Sequence, residues 1–76
     1  MNLQFAYKLI GAAQHEPSGF LKVCGREATH EVHLMAEAGL IQADESEPTE
    51  AVVTRITHAG RQFYQALKNV RHYSKN

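Results

Sequence analysis

The chain has 76 residues, 43% of them hydrophobic, and its eight basic and eight acidic residues give a formal net charge of zero. These values are typical of a small globular domain, and we expect residues 1–76 to form a single domain. No apolar run reaches the roughly 20 residues of a membrane-spanning helix, and the N-terminus lacks the pattern of a secretion signal. The single cysteine, Cys24, cannot form an internal disulfide, so we expect a cytoplasmic protein that does not contact a membrane.

The charges are distributed in blocks along the sequence. From Glu27 to Glu50 every Asp, Glu, Lys or Arg is acidic, whereas from Arg55 to Lys75 every one is basic. Such blocks indicate electrostatic contact within the fold, within a dimer or with a charged partner, although solvated faces would give the same pattern.

The first third of the chain predicts one helix and one ambiguous segment. Apolar residues recur at helical spacing from Leu3 to Ala13, and Asn2 is placed to cap this helix. Pro17 requires the helix to end by His15. Segment 20–24 is either a short second helix or a short strand, because it is too short for periodicity to decide.

The clearest helix is predicted for residues 26–38, and Gly39 is placed to end it in a left-handed conformation. Residues 40–43 and 51–56 then read as the two strands of a hairpin, with residues 44–50 as a loop. In the second strand, Val52, Thr54 and Ile56 alternate on one face.

Thr57 is expected to cap a final helix whose apolar residues follow a period of 3.6. The predicted fold is therefore α+β and mainly α, with three principal helices, a short extra helix or strand near 20–24, and a two-stranded hairpin. The expected core cluster consists of Ile10, Val32, Met35, Leu40, Ile56, Phe63 and Leu67.

Two stretches resemble winged-helix regulators. In that superfamily, the step from the recognition helix into the wing is similar to Glu37-Ala38-Gly39-Leu40-Ile41 of this chain. The step from the wing into a C-terminal helix is similar to Arg55-Ile56-Thr57-His58-Ala59-Gly60. The resemblance covers residues 28–67 and is strongest to small winged-helix proteins of unknown function from phages and bacteria. It implies a DNA-binding protein, a regulator of transcription, with helix 26–38 as recognition helix. The sequence departs from the winged-helix pattern at residues 18–25, which are too few for a full second helix and turn.

The resemblance implies that double-stranded DNA, if bound, is contacted near the start of helix 26–38 and at the hairpin. The residues expected to reach phosphates or bases are Lys22, Arg26, Thr29, His30, His33 and Arg55. Arg26 is expected to be central, yet the acids at Glu27, Glu31 and Glu37 oppose DNA binding unless they face away. The alternative is a winged-helix module that binds itself or another protein without DNA.

No catalytic site is predicted, nor any cofactor or small-molecule substrate. His30 and His33 lie three residues apart with Cys24 nearby, but two ligands without a convincing third are more typical of exposed helix histidines than of zinc. His30-Glu31-Val32-His33 is one residue short of the metalloprotease pattern. We therefore expect a protein that is not an enzyme and holds no metal.

A homodimer through the final helix is expected, because its apolar stripe continues beyond what a three-helix core can cover. The residues expected at that interface are Phe63, Leu67, Val70 and Tyr73. The alternative is that this helix packs back on its own domain and frays after Asn69.

Overall fold

Over residues 1–73, the fold consists of three helices and one antiparallel sheet. A computed structural model describes residues 1–73, with side chains described up to residue 70. The elements in chain order are α1 (Leu3–Gln14), β1 (Leu21–Cys24), α2 (Arg26–Glu37), β2 (Ile41–Glu47), β3 (Glu50–Ile56) and α3 (His58–Tyr73). The α+β class and the three principal helices are thus confirmed.

The sheet has three strands rather than the two of the predicted hairpin, in the order β1-β3-β2. Segment 20–24, ambiguous in the sequence, forms β1, which pairs with β3 from Leu21 opposite Val53 to Cys24 opposite Glu50. Leu21 and Val23 alternate with exposed neighbours and pack against the core, as expected of a strand with one covered face. Residues 18–25, all within the described part of the chain, thus contain a strand in place of the second helix of a full helix-turn-helix, and β3 is the central strand.

The hairpin is longer than predicted, and the expectation of a loop over 44–50 is wrong. Strand β2 continues to Glu47, and β3 begins at Glu50 after a turn at Pro48 and Thr49. The prediction assumed that a strand must bury side chains. In an antiparallel hairpin, backbone hydrogen bonds hold the strands together while acidic side chains on both strands remain in water.

The predicted alternation of Val52, Thr54 and Ile56 on one face does not hold along the whole of β3. Ala51 and Val53 are the buried residues, whereas Val52 is half-buried and Thr54 is exposed. Between the pairs Gln42–Arg55 and Ala43–Val53 the register shifts by one residue, which leaves Thr54 as the extra residue of a β-bulge. Alternation therefore breaks at Thr54, and no single two-residue period runs through β3.

The core lies between one face of the sheet and the helices α1 and α2, and α3 packs mainly against α1. Of the expected cluster, Ile10, Val32, Met35 and Leu40 are buried, and Ile56 and Phe63 are partly buried against them. Leu67 does not belong to this cluster, because α3 meets α1 through Tyr64 and leaves Leu67 in a surface groove. Buried residues that the sequence did not single out as core are Ala6, Leu9, Ile41, Ala51 and Val53.

The junction of α2, β2 and α3 confirms the predicted helix boundaries. Gly39 has φ +79°, and the amide of Leu40 donates to the carbonyl of Met35 at 3.0 Å, so α2 ends in a Schellman motif. Thr57 accepts from the amide of Gly60 at 3.0 Å and donates to the carbonyl of Gly39 at 2.6 Å. One threonine thus caps α3 and fixes it to the end of α2.

Candidate nucleic-acid and protein interfaces

The exposed face of α2 and the hairpin border a shallow cleft of about 310 Å3. Arg26, His30 and His33 line it from the helix, because residues four and three apart share one helical face. The opposite wall carries Glu45 and Glu47. Thr29 also lines the cleft, so the structure brings four of the predicted DNA-binding residues together, but places carboxylates beside them.

His33 is held between two of these carboxylates. Its Nδ1 lies 2.9 Å from Oε1 of Glu45 on β2, and its Nε2 lies 3.3 Å from Oε1 of Glu37 one turn along α2. Both ring nitrogens are thereby occupied, and the side chain joins α2 to the hairpin. The His33 side chain would have to leave these carboxylates before it could contact a phosphate.

Thr29 and Lys22 are also committed within the fold. Thr29 is buried, and its hydroxyl donates to the carbonyl of Gly25 at 2.6 Å, so this hydroxyl proton is already used within the fold. Lys22 forms an ion pair of 2.7 Å with Glu50 across the β1–β3 pair. The hydrogen bond with Glu50, followed by its negative charge, raises the pKa of Lys22 above its ordinary value of 10.5.

Arg55 lies at a different surface from the cleft beside α2. It lines a groove of about 340 Å3 together with Arg61, near the end of α1. The acid in that lining is Glu16, whose carboxylate accepts hydrogen bonds from the amide and the hydroxyl of Ser18 at 3.3 and 3.2 Å. Glu16 is therefore already engaged in stabilising the turn after α1.

Lys68 extends this positive surface along α3. It lies seven residues, two helical turns, after Arg61, so both side chains project from the same face about 10 Å apart. We call Arg55, Arg61 and Lys68 the basic strip. Within residues 1–70, no ion pair of 4.0 Å or less involves any of the three. The described acids thus form no ion pair with the basic strip, and the carboxylate that shares the groove of Arg55 and Arg61 is bonded to the turn at Ser18.

Helices α1 and α3 pack against each other through a pair of tyrosines. The rings of Tyr7 and Tyr64 stack with centroids 4.7 Å apart and an interplanar angle of 9°. A hydrogen bond with Tyr7, followed by burial, raises the pKa of Tyr64 above its ordinary value of 10.0. The same contact lies beside Gly11, where a larger residue would press on the Tyr64 ring.

Beyond the tyrosines, an apolar groove of about 320 Å3 opens between the two helices. Leu3, Gln4, Tyr7 and Leu67 line it, and Val70 follows Leu67 by nearly one turn with 63% of its surface exposed. Among the residues expected at a dimer interface, Phe63 instead packs partly against its own core. The side chain of Tyr73 lies outside the described part of the chain.

No group of three or more His, Cys, Asp or Glu side chains in the described part of the chain is arranged to hold a metal ion. His30 and His33 do not meet a third ligand there, and Cys24 is exposed with its Sγ 3.9 Å from a carboxylate oxygen of Glu50.

Comparisons with protein families, with curated proteins and with solved structures give no match to this chain. None of its helices, over the residues described, is long and apolar enough to cross a membrane. Arg61 and Lys68 are not among the six residues that the sequence predicts to reach phosphates or bases. The signal was present, because both belong to the segment after Glu50 that contains no acid.

Proposed function

We propose that this chain is a small DNA-binding protein of the winged-helix type, a cytoplasmic regulator of transcription, which contacts the phosphates of duplex DNA through its basic strip. The order of helix, strand, helix, hairpin and helix supports the winged-helix type, with the hairpin from β2 to β3 as the wing. The missing second helix means that α2 is not supported as it is in a full helix-turn-helix.

The observation that carries the proposal is the contrast between the two cationic surfaces. Arg26 and His30 share their cleft with Glu45 and Glu47, whereas Arg55 and Arg61 share theirs with one carboxylate that is bonded to a neighbouring turn. DNA affinity depends largely on neutralising phosphates, and nearby carboxylates lower the local potential. The basic strip is therefore the better phosphate-binding surface, and α2 plays a secondary part.

This assignment moves the centre of binding away from Arg26. Arg26 remains exposed at the first position of α2, where it can add one contact at the border of the interface. Because its neighbours Glu27 and Glu31 and the hairpin acids repel phosphate, we expect its contribution to be small.

The proposal is tested by fluorescence anisotropy titration of a labelled random-sequence duplex at low and at moderate salt. The Arg61→Glu, Lys68→Glu double variant removes two members of the basic strip and should weaken binding by at least about tenfold. The matched control is Lys8→Glu, Arg26→Glu, which makes the same change in net charge on other exposed positions. Circular dichroism establishes that both variants are folded.

Equal loss in the two double variants would contradict the basic strip as a site. Absence of binding by the parent protein at low salt would contradict DNA binding altogether. In that case the acidic surface of α2 and the hairpin, which carries Glu27, Asp44 and Glu47, favours the alternative of a module that binds a protein partner.

A further inference from the structure

His33 joins α2 to the hairpin at a point where the pairing of the two strands is irregular. Between Asp44 and Glu47, β2 contributes two residues where β3 contributes only Ala51, so the register shifts at a second β-bulge. Glu45 belongs to this bulge, and its carboxylate reaches His33 on α2. The outer part of the hairpin is therefore held by a side-chain contact with α2 as well as by strand pairing.

Of the two carboxylates that contact His33, Glu45 is the better shielded from water. Its side chain is 31% exposed, whereas that of Glu37 is 65% exposed, and its contact with the ring is the shorter one, 2.9 Å against 3.3 Å. Water and salt weaken the more exposed contact more strongly. The bond to Glu45 is therefore the one that holds the hairpin on α2.

Only the protonated ring of His33 can donate to both carboxylates. A neutral imidazole has one N–H group and one lone pair, so one nitrogen would face a carboxylate oxygen with no proton between them. The imidazolium has an N–H group on both nitrogens and adds a positive charge between two negative ones. Histidine ordinarily exchanges its charge between pH 5 and 8, where carboxylates remain ionised. The contact is therefore strongest at the acidic end of this range.

Acidic groups outnumber basic ones around His33. The charged and titratable residues that share its face of α2 or line the cleft with it are Arg26, His30, Glu37, Glu45 and Glu47. The three carboxylates attract the imidazolium, and Arg26 repels it. His30 titrates over the same range one turn before His33, so the experiment has to separate these two histidines.

We propose that His33 is a proton-dependent clamp between α2 and the hairpin. When protonated, it bonds to Glu45 and Glu37 together. When it loses the proton, one of these bonds is lost and the other joins a neutral ring to a carboxylate, so the outer hairpin, residues 44–50, is held less firmly. The clamp is a property of the fold and does not rest on DNA binding.

A double-mutant cycle on the full chain tests the clamp. The unfolding equilibrium constants of the parent, His33→Ala, Glu45→Ala and the double variant are measured in urea at about pH 5.5 and about pH 8.0, on either side of the usual histidine range. Titration of His30 contributes equally to all four proteins and cancels from the coupling. The coupling should be about three- to fivefold in the unfolding constant at the lower pH and less than about twofold at the higher pH.

The matched control is the cycle of His33→Ala with Glu47→Ala. Glu47 lies two residues after Glu45 on β2 and lines the same cleft, but over residues 1–70 it forms no ion pair of 4.0 Å or less with His33. Its coupling to His33 should stay below about twofold at both pH values. Equal coupling of His33 to Glu45 at the two pH values, or coupling to Glu47 as large as that to Glu45, would overturn the proposal.

NMR relaxation at the Cα positions of Ser46, Glu47 and Thr49 measures the loosening of the hairpin itself, independently of amide exchange. In the parent, the heteronuclear NOE at these positions should be lower at the higher pH. In His33→Ala it should be low at both pH values, whereas His30→Ala should behave as the parent does. A hairpin that is equally ordered at both pH values in the parent would contradict the clamp.

Discussion

Gly60 provides a sharp test of the junction that fixes α3 to the end of α2. Gly60 is buried at the third position of α3, where its backbone passes directly over the carbonyl of Leu40. A methyl group in Gly60→Ala would overlap that carbonyl oxygen and would lie 3.1 Å from Cγ2 of Ile56. Backbone, rather than the end of a flexible side chain, would have to move.

The expected cost combines three contributions. Overpacking typically costs about 1–3 kcal/mol, and displacing the Leu40 carbonyl weakens its 3.1 Å hydrogen bond from the Thr57 amide, at about 0.5–1.5 kcal/mol. The helical preference of alanine over glycine offsets at most about 1 kcal/mol of this. We therefore expect a net loss of about 1–3 kcal/mol, with Tm falling by roughly 4–8 °C for each kcal/mol.

Thermal and urea unfolding, followed by circular dichroism, measure this loss, and Gly11→Ala is the matched control. At Gly11 the nearest atoms to an added methyl group belong to the Tyr64 side chain, at 3.3 Å, and a side chain can yield where a carbonyl cannot. Gly11→Ala should change the free energy of unfolding by less than about 1 kcal/mol. A Gly60→Ala protein as stable as Gly11→Ala would refute the reasoning about the junction.

Two further predictions concern the core and the α1–α3 contact. Met35→Ala should lower the free energy of unfolding in urea by about 2–5 kcal/mol, and Phe63→Ala by only about 2 kcal/mol. The difference is expected because Met35 is fully buried whereas Phe63 is half-buried. A larger loss in Phe63→Ala than in Met35→Ala would place the centre of the core on α3. Since the folded-state pKa of Tyr64 is raised above 10.0, its contribution to stability is complete below pH 10.0 and is lost as pH rises through the folded-state pKa. Tm above pH 10.0 should therefore fall less steeply in Tyr64→Phe than in the parent, and equal slopes would show that this phenol does not contribute.

Much of the fold could be predicted because its signals are local. Asn2, Gly39 and Thr57 act at single helix ends, and the structure confirms all three. Segment 20–24 could not be decided locally, because it becomes a strand only by pairing with β3, about 30 residues further along the chain. The bulge at Thr54 likewise arises from pairing with β2, so the two-residue period of the sequence does not by itself show which residues of β3 face the core.

The candidate site was less predictable than the fold, because it depends on which charges meet. Thr29 is predicted to contact DNA because it carries a hydroxyl, but in the fold this hydroxyl bonds to the carbonyl of Gly25. Lys22 is predicted to do so because of its charge, but in the fold this charge is paired with Glu50. Gly25 is one helical turn from Thr29, so that bond is local, whereas Glu50 is distant from Lys22 in sequence and reaches it only through the β1–β3 pair. The sequence shows Arg61 and Lys68 as part of a basic block, but the groove that Arg61 shares with Arg55 forms only in the folded chain.

The salt dependence of DNA binding tests the central proposal most directly. If Arg55, Arg61 and Lys68 each neutralise one phosphate, the slope of log K against log salt should be about −2.7, or about 0.9 for each contact. Arg61→Ala should reduce its magnitude by about 0.9, whereas Arg26→Ala should leave it nearly unchanged. A slope that falls in Arg26→Ala and persists in Arg61→Ala would contradict the basic strip and return the contact to α2.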